Sequence, residues 1–150
     1  MTDSGFDLGL ADATRAGVFF STTEDLDTLA AAARDAGLLV RRIDLLGCAD
    51  KRTLLLRIAL ALDFPASSGH NWDALSDNLR DLDWLPPGNG YVLLFDATGE
   101  MRDANESDFD TLLSILEEAS ADWAQREVPF WAFLALREQD FDDMESALQG

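Results

Sequence analysis

Two aspartates one helical turn apart are the groups in this sequence whose spacing is most suggestive of a chemical role. The apolar positions around them, Trp72, Leu75, Leu79 and Leu82, recur at the spacing of one helix face. Asp73 and Asp77 therefore lie together on the outer side, where only Arg80 is within reach of Asp77. Such a pair is either a solvated acidic face or a rigid row of acceptors for Arg and Lys side chains of a partner.

A nucleophilic or phosphate-binding active site is not predicted. His70 is the only histidine, so a Ser-His-Asp arrangement would need Ser67 or Ser68 as its nucleophile. Neither serine lies in the strand-turn-helix elbow that exposes such a nucleophile. Gly88 and Gly90 precede a predicted strand, whereas a phosphate-binding loop follows a strand and opens a helix.

Carboxylates are plentiful, and such groups can bind metal ions or act in acid–base catalysis. Asp103, Asn105 and Ser107 match the first, third and fifth positions of a calcium loop, but Asp108 occupies the sixth position, which requires glycine. The two helix aspartates could form an acid–base pair, yet no apolar pocket is predicted around them to raise a carboxyl pKa. The sequence therefore predicts a protein that is not an enzyme and needs no metal or cofactor.

Strands and helices alternate along the chain and must position these residues. The predicted strands cover residues 17–20, 38–45, 91–95 and 129–136, with a helix or a helix pair between each two. The order is β-α-β-α-α-β-α-β, which implies parallel pairing with right-handed crossovers. We expect a small parallel sheet flanked by helices, an α/β fold in one domain.

Several residues predict where the helices begin and end. Thr22 or Thr23, Asp50 and Asn71 are candidate N-caps, and Gly37 is a candidate helix stop. An acidic loop is predicted over residues 96–106. The sequence Ser107-Asp108-Phe109-Asp110 is typical of a capping box, which would start the next helix there.

Charge is the unusual property of the composition. The 150 residues carry a formal net charge of −18, from 29 acidic and 11 basic side chains. Residues 1–71 hold 10 of the acids and 7 of the bases, so most of the negative charge belongs to residues 72–150. This charge disfavours nucleic acid and anionic membranes. Taken alone, it is typical either of plain solubility or of a surface that binds a basic protein.

The cellular compartment is predicted from the cysteine content and the N-terminal sequence. Cys48 is the only cysteine, which excludes an internal disulfide and suits a reducing compartment. Residues 1–13 are acidic and lack a positively charged start, so they are not typical of a signal peptide. No apolar run approaches the ~20 residues of a membrane span. We expect a cytoplasmic protein.

Residues 64–77, followed by Leu79, resemble the loop and second helix of the barstar family, intracellular inhibitors of the ribonuclease barnase. The shared pattern consists of Pro65, Gly69, Asn71, Asp73-Ala74-Leu75 and Asp77. The order of strands and helices around this segment also resembles the family, over about residues 38–136. The domain then divides into a mobile leader (1–16), an extra strand-helix unit (17–37), a barstar-like core (38–136) and an acidic tail (137–150).

The resemblance implies a partner-binding face on the Gly69 loop and the helix after it, whose carboxylates take the place of RNA phosphates in a nuclease active site. By position, the contacts are Asp77 as principal anchor, Asp73 as its companion, Asn71 and Gly69 in the loop, and Glu118 on a later helix. The implied function is an immunity-type inhibitor of a basic ribonuclease or related toxin nuclease. The alternative is a binding module of the same fold with a non-nuclease partner.

The aromatic half of the family's binding face is missing from this sequence. Ser67 and Ser68 stand where the family has an aromatic residue before the glycine, and Ser76 and Leu82 stand in place of tryptophans. The carboxylates are retained. The expected partner is therefore basic, and a nuclease other than barnase is favoured.

Overall fold

The computed structural model describes residues 9–86 and 88–136 and contains four strands and five α-helices in this part of the chain. The strands are β1 (Val18–Thr22), β2 (Leu39–Asp44), β3 (Tyr91–Asp96) and β4 (Phe130–Leu136). The helices are α1 (Thr23–Asp35), α2 (Lys51–Ala61), α3 (Trp72–Leu79), α4 (Gly99–Ala104) and α5 (Glu106–Gln125). A short 3-10 helix, Ala13–Arg15, precedes β1.

The four strands form one parallel sheet in the order β1-β4-β3-β2. The two central strands are almost entirely buried, as the continuous apolar runs of residues 91–95 and 130–136 predict. β1 lies at one edge and pairs with β4, with Val18 opposite Ala132. The predicted fold class, a small parallel sheet flanked by helices with an extra N-terminal strand-helix unit, is confirmed.

Helices cover the two faces of the sheet unequally. One hydrophobic cluster joins α2, α3, α4 and α5 to side chains such as Ile43, Leu93 and Phe95 on one face. A second cluster joins α1 to the other face, where Leu26 packs with residues such as Val92 and Trp131. The extra strand-helix unit therefore adds both an edge strand and the cover of one face.

The segment between β3 and α5 differs from its prediction. Residues 96–106 were expected to form a loop, but they contain α4. The predicted capping box at Ser107 is also wrong, because α5 begins at Glu106 and no side chain caps it. Asn105 ends α4 and precedes α5, so the two helices follow each other without room for a separate cap sequence.

The helix α3 ends earlier than the apolar spacing indicates. It stops at Leu79, and Leu82 has a positive φ of 56°. Leu82 is nevertheless buried. The i+3 spacing therefore correctly predicted that Leu82 is buried, but wrongly predicted that it belongs to the helix.

The leader prediction is wrong for residues 9–16. Leu10 is buried, and its carbonyl oxygen accepts a hydrogen bond of 2.8 Å from the indole N–H of Trp131. The remaining leader, residues 1–8, and the predicted acidic tail, residues 137–150, lie outside the described residues. Within the described ranges, no helix has the length and apolar character needed to cross a membrane.

Candidate functional site

The helix α3 is positioned by its first residues and by its buried face. Asn71 is the N-cap, and its Oδ1 accepts a hydrogen bond of 2.8 Å from the backbone N–H of Ala74, as predicted. Leu75 and Leu79 are buried against the core. Asp73 and Asp77 therefore project from the opposite side, and both are exposed.

The loop before α3 is tied to the helix. The Nδ2 of Asn78 donates a hydrogen bond of 2.5 Å to the hydroxyl of Ser68. Gly69 is exposed, and a Cβ at this position would lie 3.1 Å from the Nδ2 of Asn71, closer than nearly all real contacts. The space between this loop, α2 and α3 is only about 10 Å³, enough for about one water. The loop is therefore packed in place and does not enclose a small-molecule site.

Asp77 has one basic neighbour within the chain. Its Oδ1 lies 3.1 Å from a guanidinium nitrogen of Arg80, and 75% of its side-chain surface is exposed. Exposed ion pairs of this spacing contribute little free energy because water screens them. A partner's cation could displace Arg80 at small cost, so the carboxylate of Asp77 is available for binding.

The end of α3 is fixed to the end of α5 by two side chains. The indole N–H of Trp123 donates a 2.7 Å hydrogen bond to the carbonyl of Leu79, and the guanidinium of Arg126 donates a 2.8 Å bond to the carbonyl of Arg80. Arg126 also lies over the Trp123 ring, 3.7 Å from its centroid, and pairs with Asp122. The carboxylate-bearing helix therefore rests on a rigid support.

Four of the five predicted contact residues are brought together by the loop and α3. Gly69 and Asn71 stand at the N-terminal end of the helix that carries Asp73 and Asp77. Glu118 lies on α5, which packs against α3, and it is exposed one turn before Asp122. The roles of these residues in binding remain predictions.

The support from α5 was missed by the sequence analysis. Asp122 and Arg126 stand at i and i+4, a spacing that could have indicated their ion pair. The contact of Trp123 with the end of α3 had no such local signal, because it joins residues far apart in the chain.

The described residues contain no group of three or more His, Cys, Asp and Glu side chains that could hold a metal ion. Two larger cavities, of about 610 and 560 Å³, lie at the C-terminal ends of the strands and beside β1. Neither is lined by residues of α3 or its preceding loop.

Comparison with protein families gives one match that covers most of the chain. Residues 38–135 match the family described as "Barstar (barnase inhibitor)". This range includes α2, α3, α5 and three of the four strands, and it excludes β1 and α1. No curated protein matches the sequence.

Solved structures give matches at the level of the fold. One is a chain in the structure of the Drosophila ORC bound to DNA, with 14% identity and a TM-score of 0.51 over 81% of this chain. Another is the Aeropyrum pernix ORC2 protein in its ADPNP-ADP complexes, with 16% identity and a TM-score of 0.53 over 87% of this chain. The matches span 32% and 37% of those chains, so they show a shared α/β arrangement and nothing of function.

Proposed function

Since this chain belongs to the barstar family, whose members are ribonuclease inhibitors and not enzymes, we propose that it inhibits a basic ribonuclease or related toxin nuclease. In this proposal the carboxylates of α3 enter the nuclease active site and bind the cationic side chains that otherwise hold RNA phosphates. Asp77 is the anchor and Asp73 its companion, with Asn71, Gly69 and Glu118 as further contacts. The inhibitor acts in the cytoplasm.

The observation that carries the proposal is the exposure of both α3 carboxylates on a helix held at both ends. Asn71 caps one end, and the side chains of Trp123 and Arg126 bind the carbonyls at the other. A preorganised row of acceptors loses little conformational freedom on binding, which favours affinity. The net charge of −18 would also accelerate encounter with a basic partner.

The positions where this sequence departs from the family pattern affect which nuclease it would bind. Ser67, Ser68 and Ser76 carry no aromatic surface, and Leu82 is buried in the core, where it is not available to a partner. Aromatic residues commonly supply a large part of interface energy. We therefore propose a basic nuclease whose recognition depends more on charge than that of barnase.

The partner can be identified by affinity capture from the native cell. The protein is immobilised, and bound proteins are compared with those retained by an Asp77→Ala column. The proposal expects a small basic nuclease that is retained by the parent protein and depleted on the variant column, and whose RNA cleavage stops at one equivalent of inhibitor. Capture of a protein without nuclease activity would instead favour the alternative, a binding module of the same fold.

Replacing Asp77 gives the quantitative test of the site. We expect Asp77→Ala to weaken binding by about 2–5 kcal/mol, chiefly through faster dissociation, because a buried cation on the partner is left unpaired. The barstar–barnase complex is itself a reference system for this range. The free energy of unfolding should change by less than about 0.5 kcal/mol, as for ordinary surface positions.

Two matched variants serve as controls for this measurement. Asp73→Ala and Glu118→Ala remove the same charge from exposed positions and should weaken binding less, because their carboxylates would lie nearer the rim of the interface. Dissociation is measured by surface-based kinetics and stability by urea unfolding. An Asp77→Ala protein that binds the captured nuclease as tightly as the parent would refute the site.

A further inference from the structure

The outer face of α2 exposes two leucines that the fold leaves uncovered. Leu56 and Leu60 are 43% and 69% exposed and stand one turn apart. Arg52, one turn before Leu56, is exposed in the same row. The buried residues Leu55 and Ile58 occupy the other side of the helix, so the row faces away from the core.

The charges of α2 are opposite to those of the other helices. It contains Lys51, Arg52 and Arg57 and no acidic residue, in a chain with a net charge of −18. Its first turn is basic, whereas α1, α3, α4 and α5 all have acidic residues in their first turns. Cations at a helix N-terminus oppose the helix dipole. Within the chain, Lys51 lies over the Trp72 ring and Arg57 donates hydrogen bonds to the carbonyls of Asp44 and Leu46, which leaves Arg52 as the cation of the exposed row.

The other end of α2 has negative potential. The helix ends at Ala61, where its unpaired carbonyls carry the negative end of the dipole. Asp63 follows, with 65% of its side-chain surface exposed and one weak ion pair to Arg41 at 3.3 Å. α2 thus carries cations beside its N-cap Asp50 at its start, an apolar row on its outer face and negative potential at its end.

A face with this polarity is complementary to itself when two copies meet antiparallel. We propose that α2 is the contact between two copies of this chain, related by a two-fold axis that passes between Leu56 and Leu60. Leu56 of one copy then packs on Leu60 of the other. Arg52 approaches the negative end of the other α2, where Asp63 lies. Closed two-fold dimers of this kind are the commonest soluble oligomers.

The distribution of charge favours a second copy at this face. Most of the 29 acidic residues belong to residues 72–150, which include α3 and α5. Two copies that meet through the acid-free α2 keep these acidic surfaces away from the contact, which reduces their repulsion. The rows at i, i+4 and i+8 are also the ridges that interdigitate when helices pack. The carboxylates of α3 take no part in this contact, so the inference is independent of the proposed inhibitor function.

Sedimentation velocity of the full chain over a range of concentrations tests the proposal. We expect a reversible equilibrium between the 16.5 kDa monomer and a dimer. Replacing Leu56→Gln and Leu60→Gln together should raise the dimer dissociation constant at least about a hundredfold, because four leucine contacts are lost per dimer. Glutamine is neutral and a good helix former, so α2 should be retained. The single variant Leu60→Gln should have a smaller effect of the same sign.

The matched control is Leu46→Gln, because Leu46 is 67% exposed but lies before α2 and outside the row. This variant should dimerise like the parent. Arg52→Glu and Asp63→Lys should each weaken the dimer, and the double variant should recover much of the loss. Circular dichroism melts verify that each variant is folded. A parent chain that stays monomeric up to about millimolar concentration, or a dimer unaffected by Leu60→Gln, would overturn the proposal.

Discussion

At the scale of single residues, Asn71 serves the structure in a way that bears directly on the site. Its Oδ1 accepts a hydrogen bond from the backbone N–H of Ala74, and its Nδ2 lies 3.1 Å from where a Cβ on Gly69 would be. The side chain therefore fixes the start of α3 and leaves little room for a side chain at position 69. Its expected part in partner binding includes holding the carboxylates of α3 in position.

Replacing Asn71 should separate these two effects. We expect Asn71→Ala to lower the free energy of unfolding by about 1 kcal/mol, because the N-cap hydrogen bond is lost. Asn71→Ser retains a capping oxygen and should restore most of the stability while removing the amide. Urea unfolding and partner dissociation are measured on both variants. If Asn71 only positions the helix, Asn71→Ser should bind like the parent, and a loss of affinity with normal stability would indicate direct contact.

Residue-scale features that depend on near neighbours could be predicted from the sequence. The predicted N-caps at Thr22, Asp50 and Asn71 are confirmed. Each side chain accepts a hydrogen bond from the backbone N–H three residues later, so the local sequence contains both partners. The capping box at Ser107 failed although its residue types were suitable. Asn105 ends α4 and is also the N-cap of α5, so α5 begins one residue before Ser107. The four-residue pattern from Ser107 to Asp110 carries no information about this preceding helix.

At the scale of elements, the strand-helix unit outside the family match has two structural roles. β1 pairs with β4 along five residues, and α1 buries Leu26, Ala30 and Ala33 over the sheet face that carries Trp131. The sequence predicted this unit. It did not predict which strand β1 would pair with, because register between distant strands has no local signal.

Deleting residues 1–37 should therefore destabilise the protein. The deletion uncovers the edge of β4 and the apolar face beneath α1, which should cause aggregation or a lower melting temperature. Leu26→Ala is a smaller change at the same contact and should cost about 2–5 kcal/mol of folding free energy, since Leu26 is fully buried. Thermal melts and light scattering are the measurements. A truncated protein with an unchanged melting temperature would show that the unit is a separate appendage.

At the scale of the whole molecule, charge is distributed by region. The parts contributed by α3 and α5 are strongly acidic, and α2 is basic on its outer face. The acidic region coincides with the proposed nuclease-binding face. Whole-molecule charge was readable from the sequence, whereas the exposure of Arg52, Leu56 and Leu60 on one face of α2 required the element bounds and side-chain accessibility.

The two proposed contacts should respond differently to salt. Association with a basic nuclease should slow as ionic strength rises, because the Debye length falls from about 10 Å at 0.1 M to about 3 Å at 1 M. The proposed dimer should change less, because salt screens both the repulsion between two copies of net charge −18 and the attraction between Arg52 and Asp63. Stopped-flow association rates and sedimentation over the same salt series provide the comparison. A nuclease on-rate that is indifferent to salt would contradict the electrostatic account.

The pairing of β1 with β4 also has a consequence for how the chain acquires its structure during synthesis. Phe19 is opposite Phe133, so β1 forms its ladder with a strand that is synthesised after β2 and β3. Contacts between such distant positions carry a large loop-closure entropy and slow folding. The ribosome therefore releases β1 before the strand that it pairs with exists. β1 can join the sheet only after translation has produced β4.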